Sequence, residues 1–477
     1  MAIFEYGSIH VFLPSREESS GFERTEKEKI EDTIYFYFLL SVFFFPPPCF
    51  LLSLCLSRAV TRCVTQAESK HFLRTLTQES LLVRRKSHTC SMSSPLPLVT
   101  LSRQALGRLT TRRPFETKLG EVVHLFDTDQ GLRTEDIVRA ATESGARFGI
   151  LGVPEDVGPR ANCGRGGAHT AWPSFLASFL NMQDNDSLRG SDVIILGHVD
   201  CDDILTRARG MSAEELRTLV PLIDERVKAV AQASFEANLE LIVIGGGHNN
   251  ALPLIRAARD ASGAAAVVCN LDPHADMRQC SEGRHSGNGF SNALAEGTLD
   301  KYFLAGYHRR YNSAATLDAL RAYEREGRVQ ASCFEDWLDG GAGVDRGLHQ
   351  SLDECLSFLL TPCGQPAFGI EVDMDAIIGM PSSASSPSGV SVEVARQYVR
   401  RLASALSVAQ PKVQSQEGDG GRSVTYNGGW SSLYLHLAEG APELGGEGGE
   451  RIVGKALAYL ASDFIECRSR LLFQRSK

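Results

Sequence analysis

Two hydrophobic patterns alternate along this chain from Met92 onward. Short unbroken apolar runs, the composition of strands buried on both faces, occur at 148–154, 193–199, 239–244, 264–271, 301–308, 366–372 and 433–439. Between them apolar residues recur at helical spacing, over 168–180, 212–237, 250–262, 314–327, 344–360, 392–408 and 451–468. Ser212 and Glu215 have the spacing of a capping box at the start of the second of these. Strand and helix in regular turn predict an α/β domain, a parallel sheet covered by helices on both faces. A polar Gly/Ser-rich stretch, 411–429, reads as a surface insertion or mobile loop.

Three of the apolar runs end in ionisable residues. The run at 264–278 reads AAAVVCNLDPHADMR and closes on Asp272, His274 and Asp276, two residues apart each time. In an extended chain residues two apart point the same way, so these three groups leave the strand together. The run at 239–248 reads LELIVIGGGH, and its glycines let the backbone turn to set His248 over the sheet edge. The run at 366–375 reads PAFGIEVDMD and delivers Asp373 and Asp375. In open α/β sheets, sites form outside the carboxyl ends of strands. Two histidines and four aspartates crowded there would repel or stay unpaired unless cations joined them. That donor count suits two divalent ions sharing bridging carboxylates, and an oxygen-rich set with a minority of imidazole favours Mn²⁺ over structural Zn²⁺.

Composition narrows the partners. With 477 residues and a net charge of −9, and with no basic cluster interleaved with aromatics beyond the first ninety or so residues, nucleic acid is not an expected partner. The 12 cysteines are scattered without a CxxC pair, several inside apolar runs, which points to a reducing, cytoplasmic setting. Residues 1–91 differ from the rest. Charged residues at 16–32 precede an uncharged apolar run, 33–57, longer than the ~20 residues that span a bilayer. Pro46, Pro47 and Pro48 interrupt it, and three consecutive prolines cannot continue a helix. The expectation is therefore an N-terminal extension over 1–91, disordered or upstream of a functional start at Met92, and one domain over 92–477. A mitochondrial targeting segment or membrane anchor is the alternative.

The order GGGH, DxHxD, DxD, found here at 245–248, 272–276 and 373–375, resembles the ureohydrolase family of arginases, agmatinases and formimidoylglutamases. The resemblance runs from about residue 145 to 465. It implies a three-layer α/β/α arginase-like fold with a mostly parallel sheet and two Mn²⁺ per chain. By motif position, His248, Asp272, Asp276 and Asp373 would hold one ion, and Asp272, His274, Asp373 and Asp375 the other. GVPEDVGPRANCGRGGAHTAW and EGRHSGNGF look most like the formimidoylglutamase branch. Ser286, Gly287 and Asn288 resemble the arginase substrate loop, yet Phe290 stands where arginases carry a proton-shuttling histidine, as it does in formimidoylglutamases. His285 and His308 are then the alternative proton carriers. Glu439 matches the family's late glutamate, which contacts the amidine or guanidinium nitrogens of the substrate. Arg160, Arg165, Arg278 and Arg284 flank the strand-end edge, and their planar forks suit the carboxylates of a glutamate-like molecule; Asn162 and Asn288 join them.

The expected activity is hydrolysis of a linear amidine C–N bond, N-formimino-L-glutamate giving formamide and L-glutamate. Asp276 would relay a proton from the attacking water to the leaving nitrogen, and Glu439 would hold the amidine in line. An arginase or agmatinase acting on a guanidino substrate is the alternative within the class. Outside it stands a non-catalytic metal-binding regulatory protein on the same fold. A homo-oligomer is implied only by the resemblance.

Overall fold

The computed structural model describes residues 95–126, 132–339, 343–360, 367–408 and 432–475, together with a short hairpin near the N-terminus. The chain divides into two units, Met1–Met92 and Ser93–Lys477. In the first, Ile3–Tyr6 pairs antiparallel with Ile9–Phe12. The apolar run 33–57 and the polar stretch 411–429 lie outside the described residues. Among the described residues no helix is long and apolar enough to cross a membrane.

The second unit is built on one sheet. Its strands are β1 (Leu98–Val99), β2 (His124–Leu125), β3 (Phe148–Gly152), β4 (Val193–Val199), β5 (Glu240–Ile244), β6 (Ala266–Leu271), β7 (Leu299–Tyr307), β8 (Val329–Cys333), β9 (Phe368–Asp373) and β10 (Leu433–Ala438). They lie in the order β8-β7-β6-β9-β10-β5-β3-β4-β1, with β2 also pairing with β4. Every pairing is parallel except that of β1 with β4.

Both faces of the sheet are covered, because both faces of its strands are apolar. On β6, Val267, Cys269 and Leu271 enter one core with helices Ala171–Phe179, Gly343–Leu359, Val392–Val408 and Gly449–Arg475. Ala266 and Val268 enter the other, with helices Val220–Glu236 and Ala251–Ser262. This is a three-layer α/β/α arrangement, as the alternating pattern predicts.

The chain path opens a crevice at the middle of the sheet. Strands β5 and β6 are consecutive, yet β9 and β10 later fill the two places between them. Register then levels the four central strands: Val372 is paired with Leu271 and with Leu437, and Leu437 with Ile244. Everything beyond that row emerges on the carboxyl edge, where α/β sheets bind ligands.

Two departures from the sequence pattern have plain causes. The helix expected over 212–237 is two helices, Ala213–Leu216 and Val220–Glu236, because Pro221 lies in the first turn of the second and cannot continue the first. The capping box is present, with the Glu215 N–H donating to Ser212 Oγ at 3.3 Å and the Ser212 N–H to Glu215 Oε2 at 2.8 Å. Strand β8 carries no apolar run, since it is an edge strand with a half-buried middle.

Candidate metal centre

The loop after β5 swings His248 over the edge. Gly245 and Gly246 have φ of +82° and +70°, and a Cβ at Gly246 would lie 2.3 Å from Asn250 Nδ2. A buried carboxylate, Glu155, pins this loop. It accepts from the Gly247 N–H and Asn250 Nδ2 at 2.7 Å, and from the Val157 N–H at 2.7 Å on the neighbouring loop. Of the five non-glycine residues with left-handed backbone among the described residues, two belong to this site: Asp276, φ +48°, and Glu439, φ +64°. Strain of this kind collects where function over-determines the backbone.

His248 meets three carboxylates at one point. Its Nδ1 lies 3.0 Å from Asp272 Oδ2, 3.1 Å from Asp373 Oδ2 and 3.2 Å from Asp276 Oδ2, all of them buried. One imidazole proton can serve only one of these oxygens. Ligands at neighbouring corners of an octahedron with bonds of ~2.1 Å stand roughly 3 Å apart, so this donor set fits a small divalent cation. The electrostatics agree. Burial, and then the charges of Asp375 and Asp272, push Asp373 well above the usual carboxylate range. Asp276 is raised by burial and by Asp272. Burial opposes charge on His248, yet hydrogen bonds to Asp272, Asp276, Asp373 and Glu371 raise it well above an ordinary imidazole. Without a cation the cluster must hold protons instead.

His274 and Asp375 lie beside this group in a looser arrangement. His274 Nδ1 is 3.5 Å from Asp272 Oδ1 and 3.8 Å from Asp375 Oδ2. Asp375 accepts from the Ala384 N–H at 2.9 Å. His274, Asp276, Asp373, Asp375 and Glu439 together line the inner part of a cavity of about 330 Å³. Glu439 is 2% exposed; the His248 N–H donates to its Oε1 at 2.8 Å, while its Oε2 has no hydrogen-bond partner. Burial, then Asp375, pushes its carboxyl up to about 8.

The outer residues divide. Asn162, Arg278 and Ser286 line one wall of the cavity, Arg278 Nη1 donating to Asn162 Oδ1 at 2.7 Å. Arg284, Asn288, His285, His308, Arg160 and Arg165 are not among its lining residues. Arg284 is committed to the buried Asp224, at 2.9 and 3.2 Å, and to Asn288 Oδ1 at 2.6 Å. His285 is fully buried; its Nδ1 accepts from the Gly287 N–H at 3.1 Å, and burial with three nearby arginines lowers it to about 3. A ring so held shapes the loop, and its lowered basicity makes it a poor proton carrier. His308 stacks on Phe334 at 4.6 Å, and Arg160 donates to the Ala208 carbonyl at 2.7 Å. Phe290 packs edge-on against His248 at 5.3 Å, behind the cluster and off the cavity wall.

The opposite wall, Tyr311, Asn312, Ser313 and Thr316, carried no signal in the sequence, because it is a polar loop entering a helix. Glu371 and His436, buried behind His248, were also missed; an acid and a histidine inside apolar strands were the available cue.

Comparison with known proteins gives the family and the fold. A formimidoylglutamase from Geobacillus kaustophilus (strain HTA426) is 29% identical over 319 residues, 64% of this chain and 86% of that protein. A solved formimidoylglutamase from Bacillus subtilis has a TM-score of 0.52 at 15% identity, covering 76% of this chain and 94% of that one. A Trypanosoma cruzi formiminoglutamase solved with Mn²⁺ has a TM-score of 0.50 at 19% identity, covering 74% and 98%. At those identities the two structures speak for the fold alone. Residues 146–410, more than half of the chain, match the pattern of the Arginase family. The chain belongs to the arginase family.

Proposed function

We propose that this amidine C–N hydrolase cleaves N-formimino-L-glutamate to formamide and L-glutamate with two Mn²⁺ bound. The observation that carries the reading is Glu439, a residue that lines the cavity beside the carboxylate cluster and whose buried Oε2 makes no hydrogen bond. A planar amidinium with paired N–H donors is what such an oxygen needs. His248, Asp272, Asp276 and Asp373 hold one ion, and Asp272, His274, Asp373 and Asp375 the other. The ions, when bound, acidify water and polarise the amidine carbon. Asp276, on the cavity wall, takes the proton of the attacking water and returns it to the leaving nitrogen. Arg278, with Asn162 and Ser286, receives a substrate carboxylate at the rim. The similarity to formimidoylglutamases over 86% of the Geobacillus protein supports the choice of substrate.

The test is turnover by the Mn²⁺-loaded full chain of N-formimino-L-glutamate, L-arginine and agmatine, read as formamide or urea released. Hydrolysis of arginine or agmatine without the formimino compound would overturn the substrate. Metal binding with no turnover of any of them would favour a non-catalytic role.

A further inference from the structure

Behind the carboxylate cluster lies a buried acid that the chemistry above does not use. Glu371 sits on β9 two residues before Asp373, so it shares that residue's side of the strand, one step deeper in the sheet. It is fully buried. The Tyr434 hydroxyl donates to its Oε1 at 2.9 Å, and its Oε2 lies 2.6 Å from His436 Nδ1. The same Oε2 is 3.5 Å from His248 Nε2. That nitrogen is buried and makes no hydrogen bond within normal geometry, the 3.5 Å approach of Glu371 included, while Nδ1 of the same ring faces Asp272, Asp276 and Asp373.

A neutral imidazole offers a lone pair at one nitrogen only, and the hydrogen bond made by the other decides which. We infer that Glu371 is the positioning residue for His248: it receives the Nε2–H and so turns the Nδ1 lone pair toward the three aspartates. The inference rests on the metal-centre reading above. Tyr434 at Oε1 and His436 at Oε2 hold the carboxylate in place. Phe290, stacked on Tyr302 at 4.3 Å, keeps the His248 ring from turning. Glu371 thus shapes the cation site from the layer beneath it.

Calorimetric titration of the metal-stripped full chain with Mn²⁺ tests this. Glu371→Gln is expected to weaken binding about 10- to 100-fold, the usual consequence of removing a group that orients a metal-binding histidine. Tyr434→Phe takes a bond from Oε1 and leaves Oε2 in place, so affinity should stay within a factor of about three. Equal affinity in Glu371→Gln and wild type, or an equal loss in both variants, overturns the inference. NMR of the Cd²⁺-loaded wild-type chain with isotope-labelled histidine needs no variant to fold. Metal coupling to His248 Nδ1, with the proton on Nε2, is expected; coupling to Nε2 overturns the inference. A wild-type chain that binds neither ion overturns the metal-centre reading itself.

Discussion

The backbone N–H of His248 donates to Glu439 Oε1 at 2.8 Å, joining residues 191 positions apart in the chain. The bond links the glycine loop after β5 to the end of β10, and it leaves the second carboxylate oxygen buried without a partner in a residue that lines the cavity. One side chain therefore fixes the loop that carries His248 and also keeps an unused acceptor beside the cavity. Its left-handed backbone, φ +64°, is held by this bond and by its own N–H, which donates to the Gly246 carbonyl at 3.0 Å.

Glu439→Gln should separate the two tasks. The amide oxygen can still accept from His248, so fold and metal content should hold. The amide NH₂ then replaces the oxygen that meets the amidine, with the loss of a charge-assisted bond worth ~1.5–3 kcal/mol. On that account kcat/KM for N-formimino-L-glutamate should fall roughly 10- to 100-fold, with the Mn²⁺ content unchanged by metal analysis. Loss of metal together with activity would show the structural task to be the only one.

How far the site was legible follows from what each residue does. Asp272, His274, Asp373 and Asp375 stand at the ends of uninterrupted apolar runs, where period two and the parallel register leave them one destination. Arg284, His285 and Asn288 are close along the chain to the same edge, but proximity along a loop does not give direction. They turn inward, drawn by the buried Asp224 and by one another. Glu371 and His436 were hidden for the opposite reason. Their runs look apolar, and only pairing across strands shows that the two side chains meet, Glu371 Oε2 lying 2.6 Å from His436 Nδ1.

Asp373, like Asp272, should be a ligand whose loss costs most, because both proposed ions share it. Asp373→Asn removes a charge from both proposed donor sets, from the place where it meets His248 Nδ1 and accepts from the Asp375 N–H. Metal analysis after manganese loading should find both ions reduced and turnover abolished. A variant that keeps two ions, or an active wild type that binds none, would contradict the shared position.

Removing the metal should reverse the response to pH. In the metal-free chain Glu439 is pushed up to about 8, by burial and then by Asp375. His274 reaches about 10, the charges of Asp272, Asp375 and Asp276 outweighing the opposing effect of burial. Both lie above the ordinary unfolded values of ~4.3 and ~6.5, so protonation stabilises the fold. That stabilisation is complete below the unfolded values and is lost as pH rises through about 8 and about 10. Cations compete with the same protons, so Mn²⁺ binds more tightly as pH rises. Melting curves taken from about pH 6 to 9 should show the stripped protein losing Tm while its gap to the loaded protein widens. A gap that narrows would mean that protons and metal do not share the site.

The proposed boundary at Met92 predicts that residues 1–91 are dispensable. A protein beginning at Met92 should match the full chain in Tm and in turnover. Thermal melts of the two, side by side, decide it. A Met92 protein that melts much lower would make the extension part of the fold.

Arg278 and Arg284 should behave oppositely when removed. Arg278 is half exposed, lines the cavity and is held by Asn162 Oδ1 at 2.7 Å, with Glu282 at 3.6 Å. Its guanidinium keeps donors free for a carboxylate, and a well-formed pair contributes ~1.5–3 kcal/mol. Arg278→Ala should therefore raise KM for N-formimino-L-glutamate by roughly 10- to 100-fold and leave Tm unchanged. Agmatine, which has no carboxylate, should be unaffected. Arg284 has an 11% exposed side chain and donates to Asp224, Asn288 and the Asn249 carbonyl. Burial already raises Asp224 against the pull of Arg284, so its removal strands a buried acid. Arg284→Ala should destabilise the fold by about 3–5 kcal/mol, the cost of breaking a buried pair on one side. Denaturant curves and KM measured on the same two variants give the comparison. If Arg284→Ala raised KM without loss of stability, or Arg278→Ala lowered Tm without touching KM, the division between substrate contact and internal strut would be wrong.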